Sequence, residues 1–505
     1  MTQSTRVLLL LSMLPAATKR EDDELAPLIL PPHGPEVDRL TSNFLDQPIT
    51  PNSTFDFERQ LQLLSREHCR QILAVVYNAA AATRLDAADD RVRYDGDDYR
   101  RLNRRTPNSH VATLFGTITL ERHMYRSCDK DSGLPCISPA EMALGLMQGT
   151  TPALAEAATR YFAEAGSTQA STLARLQEQH GVAMGAKRLR KLAAERAAAV
   201  AEAQTSRLAD RLLELLKQAD ASRGRHKPVL SVGRDGVTLR EYRHRFFEVA
   251  GVGTLAVFDR RAKRLGTVYL GCVPEPNQPT LSARLTAVIE EVLQRWQGPL
   301  PRLSYVTDSG DNETNYYRKV LRRMKHPRTG ERLTWVRVVD FYHAMERVWT
   351  MSKALFGKDE RAGAAWARRM GKLLKKPSGV SRVLHSAAAM ASRRGMSKPR
   401  QTDFARAYAY LRTRTKWMRY HDYKRVGIPL GSGVTEAACK TVVAQRLKLS
   451  GMRWKKPGAQ VILDLRAELL SGTWEAANRQ ILATRPQPKK PTPADMSAET
   501  AKMAA

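Results

Sequence analysis

VLSVGRDGVTLR, residues Val229–Arg240, begins the part of the chain that decides the fold. It is rich in β-branched residues and predicts a strand that brings Asp235 to its end. Two more strands joined by a charged turn follow, then a helix over Leu281–Trp296 and a strand that ends near Asp308. A short helix and another strand lead to Asp340. This order predicts an α/β fold, α+β over the whole chain, with helices packed on a mixed sheet.

The segments around these strands have different compositions. Residues 56–222 predict mainly helices, with a small β-hairpin around Gly116, and residues 350–425 predict strongly basic helices. Residues 1–55 are rich in Pro, Asp and Glu, and residues 481–505 in Pro, Lys, Ala and Thr. We therefore expect a flexible amino-terminal segment and a disordered tail.

The charge balance restricts the class of partner. The 505 residues include 82 Lys and Arg but only 51 Asp and Glu, a formal net charge of +31. Such a charge attracts phosphate polymers, so nucleic acid is the leading partner and an anionic membrane surface the alternative. The first residues, MTQSTRVLLLLSMLPAATKR, imitate a signal peptide. The charge and an odd number of cysteines, 5, nevertheless favour a cytoplasmic protein.

One helical segment has the outline of a helix-turn-helix motif. A helix over Ser171–Gln179 leads to a turn at Gly181 and then to a basic helix. The second helix could enter the major groove of DNA, with its basic side chains also on phosphates. The basic residues that we expect to bind DNA are Lys187, Arg188, Arg190 and Lys191. The alternative is a plain helical hairpin, because any two helices joined at a Gly give this pattern.

Three carboxylates stand where a divalent metal site is expected: Asp235, Asp308 and Glu436. The two aspartates end predicted strands, whose neighbouring ends meet at one edge of a sheet. Glu436 lies in the first turn of a predicted helix that begins at Ser432 or Thr435. Hard ions such as Mg²⁺ prefer oxygen ligands, and two of them about 4 Å apart can promote displacement at a phosphate.

These residues also have simpler interpretations. Asp235 precedes a glycine and could belong to a turn, and Asp311 competes with Asp308 in the segment TDSGD. Glu436 could merely favour the helix amino terminus. Asp340 and His343 could form a structural pair at a strand–helix corner or could bind metal.

Cys128 and Cys136 form one loose pair, whereas a zinc ribbon commonly has two CxxC pairs. Zinc ligation and two ordinary thiols near a turn therefore both stay open for this segment.

These motifs resemble bacterial insertion-sequence transposases of the DDE type, closest to the ISKra branch, whose catalytic domain is RNase H-like. The matching segments are RDG at Arg234–Gly236, VTDSGDNETNYY at Val306–Tyr317, VVDFYHA at Val338–Ala344, and GSGVTEAACK followed by RLKLSGMRW. The resemblance implies that Asp235, Asp308 and Glu436 are the catalytic and metal-binding triad. Asp340 and His343 match an Asp-x-x-His element of related transposases. The implied catalytic core covers residues 223–349 and 426–480, with a helical insertion at 350–425.

The resemblance also implies an activity and partners. With Mg²⁺ or Mn²⁺ the enzyme would cleave DNA strands at transposon ends and transfer them to target DNA. Its partners would be terminal inverted repeats and target duplexes, without a membrane, in a homodimer or larger synaptic complex at the bacterial nucleoid. Phosphates beside the cut would be held by Lys440, Arg446, Lys448 and Arg453. Trp454 would stack on an unpaired base or pack in the core.

Two functional alternatives remain compatible with the sequence. One is a catalytically inactive DNA-binding protein derived from a transposase. The other is an RNase H-like nuclease without strand transfer.

Overall fold

The computed structural model describes residues 34–82, 90–106, 110–129, 131–240 and 247–486. The chain divides into two compact units. The first contains the residues up to 158, residues 170–188 and those from 484 onward. The second contains residues 159–169 and 189–483.

The first unit combines helices with two small antiparallel sheets. Its helices are α1 (Gly34–Leu45), α2 (Pro51–Ala80) and α3 (Pro139–Ala143), followed by α4 (Pro152–Ala163), which runs on into the second unit, and α5 (Gln169–His180). Strands β1 (Arg91–Tyr94), β2 (Asp97–Thr106) and β5 (Arg122–Ser127) form a sheet of order β1-β2-β5. Strands β3 (His110–Thr113) and β4 (Gly116–Thr119) form the hairpin predicted around Gly116.

Part of the segment that we predicted to be flexible, residues 1–55, is helical. Thr50 caps α2: its hydroxyl accepts from the Ser53 amide at 3.1 Å, and the Ser53 hydroxyl accepts from the Thr50 amide at 2.9 Å. Phe44 of α1 stacks on Phe57 of α2, with ring centroids 4.5 Å apart. This capping box and aromatic contact specify helices that weak periodicity did not indicate. Residues 1–33 lie outside the described residues.

A mixed five-stranded sheet forms the centre of the second unit. Its strands are β6 (Val229–Arg240), β7 (Phe247–Phe258), β8 (Arg264–Cys272), β9 (Arg302–Thr307) and β10 (Trp335–Val339), in the order β10-β9-β6-β7-β8. Strands β6, β7 and β8 pair antiparallel, whereas β6 pairs with β9, and β9 with β10, in parallel. The predicted α/β class with a mixed sheet is confirmed.

The second unit also contains helices, some of which cover the two faces of this sheet. They are α6 (Ala186–Glu202), which begins in the first unit, α7 (Gln204–Ala221), α8 (Pro279–Arg295), α9 (Asp311–Lys319), α10 (Phe341–Phe356), α11 (Glu360–Leu374), α12 (Gly379–Arg393), α13 (Lys398–Arg414), α14 (Tyr420–Arg425), α15 (Gly433–Ala438), a π-helical turn (Cys439–Ala444), α16 (Gln445–Leu447), α17 (Lys456–Ser471) and α18 (Trp474–Ala483). Helices α7 and α8 share a core with Leu230, Leu255 and Tyr305. Helices α10 to α13 share another with Val306 and Val338. Because alternate strand residues face opposite sides, these cores lie on opposite faces.

Two further predictions, one for residues 350–425 and one for the carboxyl-terminal tail, can be compared with these helices. The predicted basic helices of residues 350–425 are present as the later part of α10 and as α11 to α14. The tail predicted as disordered from residue 481 begins too early, because α18 continues to Ala483 with Ile481 buried. Residues 487–505 lie outside the described residues.

Candidate active site

Three aspartates reach the same level at the carboxyl ends of the parallel strands. Gly233 of β6 pairs with Val306 of β9, so Asp235 and Asp308, two residues further along, lie side by side. The pairing of β9 with β10 likewise puts Asp340 level with Asp308. The carboxylates cluster there: Asp235 interacts electrostatically with Asp308 and Glu436, and Asp340 is hydrogen-bonded to Ser432.

Asp235 lies inside β6, and the prediction that it ends the strand is wrong. Strand β6 continues to Arg240 and stays paired with β7, where Asp235 lies opposite Val252. The parallel partner β9 ends earlier, so the antiparallel pairing alone supports this part of β6. The interpretation of Asp235 and Gly236 as a turn is also wrong, since Gly236 pairs with Gly251.

Asp308 rather than Asp311 occupies the position beside Asp235. Asp308 directly follows β9, and its Oδ1 accepts a hydrogen bond from the Gly310 amide at 3.0 Å. Its carbonyl oxygen accepts one from the Tyr410 hydroxyl at 2.5 Å. Asp311 is exposed in the first turn of α9. The sheet geometry therefore favours Asp308 among the two alternatives.

Helix α15 carries Glu436 close to the sheet because β6 has a glycine at the point of contact. A Cβ on Gly233 would collide with the hydroxyls of Thr435 and Thr254. Those two hydroxyls share a buried hydrogen bond of 2.8 Å, which joins α15 to β7. Ser432, one of the two predicted alternatives, is the N-cap residue of α15. Its side chain, however, makes no capping hydrogen bond.

The Ser432 side chain instead lies between two carboxylates. Its Oγ is 2.7 Å from Asp340 Oδ2 and 2.8 Å from Glu436 Oε1. A serine hydroxyl has one proton and can donate to one of these oxygens at a time. The hydroxyl therefore satisfies one of these oxygens, and a bound cation would balance the charge of both carboxylates.

Asp340 is buried and caps α10 at the corner between β10 and that helix. Its Oδ1 accepts from the His343 amide at 2.8 Å, and its Oδ2 accepts from the Ser432 amide. The His343 ring takes no part in this cap. Its Nδ1 is buried without a hydrogen-bond partner among the described residues, 3.9 Å from Glu346 Oε2.

Asp340, His343 and Glu436 form a candidate metal centre. One ligand atom from each lies within 4.8 Å of the others, and in the described part of the chain this is the one group of three such side chains. Asp340 is buried, His343 is half-buried and Glu436 is exposed, so the centre faces solvent on the Glu436 side. Carboxylate and imidazole ligands together suit divalent transition metals. The free Nδ1 of His343 and the crowded carboxylates fit a divalent cation.

Asp235 and Asp308 lie beside this group of three, close enough for their charges to interact with it. Burial raises the pKa of Asp235, and the negative charges of Asp308 and Glu436 raise it further. Hydrogen bonds from the Gly236 amide, at 2.7 Å, and from the Cys439 thiol, at 3.5 Å, oppose that increase. The predicted carboxylates are thus close enough to repel one another, and a cation would relieve the repulsion.

Glu313 is a further acidic residue that the sequence did not reveal. It lies in the first turn of α9, is 8% exposed, and its carboxylate packs against Gly310. Burial raises the pKa of Glu313 to about 7, with contributions from the charges of Asp308 and Asp235. The available signal was an acidic residue near the start of a helix that directly follows Asp308. The polar segment DNETNYYRK otherwise indicates an exposed helix.

The basic segment after Glu436 is only partly available to a ligand. Lys440, Lys448 and Arg453 are exposed, as predicted for phosphate contacts. Arg446 is 1% exposed, and its Nε donates to the Phe162 carbonyl oxygen at 2.9 Å. Its guanidinium lies between aromatic rings, 5.0 Å from the centroid of Phe162 and 5.3 Å from that of Trp454.

Arg446 is therefore a core residue, and the prediction that it binds phosphate is wrong. Trp454 donates from Nε1 to the Leu447 carbonyl oxygen at 3.0 Å. Together with its contact to Arg446, this bond favours the core-packing interpretation of Trp454.

The predicted helix-turn-helix order is present as α5, a turn at Gly181 with φ of 64°, and α6. Three of the four predicted DNA-binding side chains are exposed: Lys187, Arg190 and Lys191. Arg188 instead donates to the carbonyl oxygens of Gln148 and Gly149 at 2.8 and 2.5 Å. These bonds make Arg188 a structural residue, contrary to its predicted role.

Cys128 and Cys136 are exposed, and neither is joined in a disulfide. Within the described ranges, neither belongs to a group of three side chains arranged to bind metal.

The chain matches no protein-family model, and a comparison with curated proteins found no match either. Across the described ranges, none of the helices has the length and apolar character needed to cross a membrane.

Proposed function

We propose that the protein is a DNA transposase that binds transposon ends and catalyses metal-dependent strand cleavage and strand transfer. The observation that carries this proposal is the convergence of Asp235, Asp308 and Glu436 at one edge of the sheet. An order of three antiparallel strands followed by two parallel ones supports an RNase H-like core. In this proposal residues 350–425 are a helical insertion between Asp340 and Glu436.

Divalent ions, Mg²⁺ or Mn²⁺, would activate the attacking oxygen and stabilise the leaving one when bound at this edge. Asp235, Asp308 and Glu436 would hold them, with His343 as a further ligand beside Glu436. Asp340 would act through the Ser432 hydroxyl to position Glu436. In cleavage, water displaces a 3′-hydroxyl from its phosphodiester; in strand transfer, that hydroxyl displaces another from target DNA.

The charge of the chain supports DNA as the substrate. Exposed Lys440, Lys448 and Arg453 follow Glu436 in sequence and would bind phosphates near the cut. A net charge of +31 adds a salt-dependent attraction to any duplex. Two ends must be cut and joined together, so the active form would be a dimer or larger complex at the bacterial nucleoid.

Glu436→Gln tests the proposal because it removes a negative ligand while keeping the shape of the side chain. We expect cleavage of duplexes carrying the inverted repeats that flank the gene to fall by roughly 100-fold or more. Affinity for the same DNA should stay nearly unchanged. Glu331→Gln is a matched control, since Glu331 is exposed away from the site.

Each outcome separates one alternative. Cleavage by the Glu436→Gln variant at the wild-type rate would contradict the role of Glu436. Wild-type protein that binds the repeats but never nicks them with Mg²⁺ or Mn²⁺ would support the inactive DNA-binding alternative. Nicking without joining of pre-cut ends to target DNA would support the nuclease alternative.

A further inference from the structure

A second cavity lies at the opposite end of β9 and β10 from the carboxylates. Its volume is about 760 Å³, and it is bounded by the first residues of these strands and by residues 416–428. Arg302 borders the cavity, whereas Asp308 stands at the other end of β9. A rise of about 3.3 Å per residue separates the two by about 20 Å. The cavity is thus distinct from the candidate active site.

The cavity is strongly cationic. Seven of its lining residues are Lys or Arg, and one, Asp422, is acidic. Arg419 pairs with that acid at 2.7 Å. Lys227 and Arg425 are exposed and have no ion pair or hydrogen bond from their side chains to the described residues. An anionic ligand would therefore meet cations that the protein itself does not neutralise.

A buried guanidinium in the wall has two nitrogen atoms without hydrogen-bond partners among the described residues. Arg337 is 2% exposed, and its Nη2 donates to Thr314 Oγ1 at 2.7 Å and to Ser309 Oγ at 3.2 Å. Its Nε and Nη1 have no hydrogen-bond partner within the described ranges. Buried donors without acceptors are costly, and bonds from a guanidinium to phosphate are strong. Arg337 thus favours an anion at this wall.

Aromatic side chains accompany these cations. The Trp417 ring lies 3.8 Å from the Arg337 guanidinium, and Lys416 Nζ is 4.6 Å from the same ring. Trp417 is half-buried and Lys416 is exposed, so a flat ligand could take the place of the ammonium beside the ring. Aromatic rings beside cationic groups are the combination that binds unpaired bases together with their phosphates. An acidic peptide would satisfy the cations but leave the aromatic face without a matching group.

We propose that this cavity binds an unpaired nucleotide of a DNA strand, with its base against Trp417 and its phosphate near Arg337 and Arg425. The site is a second nucleic-acid contact, and it rests on the proposed function only in the choice of DNA over other polymers. Its occupancy does not require cleavage, so it can be tested in the full-length Glu436→Gln variant.

Charge reversal at exposed positions tests this site without disturbing the core. We expect Lys227→Glu combined with Arg425→Glu to weaken binding of a fluorescent twelve-residue thymidine oligonucleotide by about tenfold or more, measured by anisotropy. The matched control, Lys376→Glu combined with Arg393→Glu, makes the same change of charge at exposed residues outside the cavity. It should weaken binding by about twofold at most.

Competition identifies the ligand. Unlabelled single strands should displace the probe far better than a duplex of equal length, and thymidine monophosphate should displace it better than inorganic phosphate. Equal losses in the cavity variant and its control would overturn the proposal, because binding would then follow net charge alone. Duplex or inorganic phosphate competing as well as the single strand would also overturn it. DNA cleavage by protein that keeps Glu436 tests the proposed function separately from these binding measurements.

Discussion

The Ser432 hydroxyl lies between the carboxylates of Asp340 and Glu436, which come from distant parts of the chain. Asp340 is already held by amides of His343 and Ser432, so its position is fixed by the backbone. Glu436 is exposed and would otherwise choose among several rotamers. Through its hydroxyl, Ser432 therefore holds Glu436, the residue that would bind metal, in a fixed position relative to the buried Asp340.

Ser432→Ala removes the hydroxyl that links the two carboxylates. It keeps the hydrogen bond that the backbone amide at this position donates to Asp340. We expect the Mn²⁺ concentration for half-maximal DNA cleavage to rise by about 10- to 100-fold, as for other residues that orient metal ligands. Affinity for DNA should not change. Titration of cleavage with Mn²⁺ measures the effect, with exposed Ser450→Ala as the control. An unchanged Mn²⁺ requirement in Ser432→Ala would contradict the positioning role.

The basic segment that passes through the π-helical turn and α16 is only partly exposed. The sequence predicts one continuous helix with Lys440, Arg446 and Lys448 all available to phosphate. In a regular α-helix of 3.6 residues per turn, Arg446 would already lie about 120° from Lys440 and about 160° from Lys448 around the axis. Lys440 and Lys448 remain exposed, while Arg446 enters the core between Phe162 and Trp454.

Arg446→Ala should therefore lower stability without changing DNA binding. Lys448→Ala should change DNA binding without lowering stability. Arg446→Ala loses a hydrogen bond and two cation–π contacts, and we expect it to lower the free energy of unfolding by roughly 2 kcal/mol. Its affinity for DNA at a temperature where it is folded should be unchanged. Lys448→Ala should leave the thermal midpoint unchanged, but reduce the slope of log affinity against log salt by about one.

Thermal unfolding and duplex binding at several salt concentrations distinguish the two variants. A loss of DNA affinity in Arg446→Ala without a lower thermal midpoint would contradict the assignment of Arg446 to the core.

The second unit as a whole gathers acidic groups within a cationic protein, and the burial of one of them makes the free energy of unfolding depend on pH. Glu313 has an ordinary pKa of 4.5 and a folded-state pKa of about 7 because of burial. Between these values the folded state holds more protons than the unfolded state, so the free energy of unfolding falls as pH rises. The loss is complete above pH 7 and amounts to roughly 3 kcal/mol at most.

Glu313→Gln should remove this loss because the amide stays neutral. In EDTA we expect the variant to be more stable than the wild type at pH 8 and about equal to it near pH 4.5. Urea unfolding at both pH values measures the difference, and exposed Glu331→Gln should behave like the wild type. The expectation fails if Glu313→Gln keeps the wild-type dependence on pH.

Local sequence was sufficient for the order of strands and helices from β6 to β10 in the second unit. Runs such as RLSYVT and WVRVV are rich in β-branched and aromatic residues, and an aspartate directly follows each, so both the strand and the sheet edge were predictable. The internal position of Asp235 was not, because it depends on the length of the pairing between β6 and β7. The burial of Arg446 and Glu313 was not predictable either, since charged residues are usually exposed and the burying partners are distant in sequence.

The wide separation of Asp235 and Glu436 along the chain has a consequence for the protein during its synthesis. The ribosome releases the amino-terminal part first, so strands β6 to β10 are made well before α15. A nascent chain that stops before Gly431 has Asp235, Asp308 and Asp340 but lacks both Glu436 and the serine that positions it. Under the proposed function, unfinished translation products would therefore not cut DNA, and activity would begin only once the core has been completed.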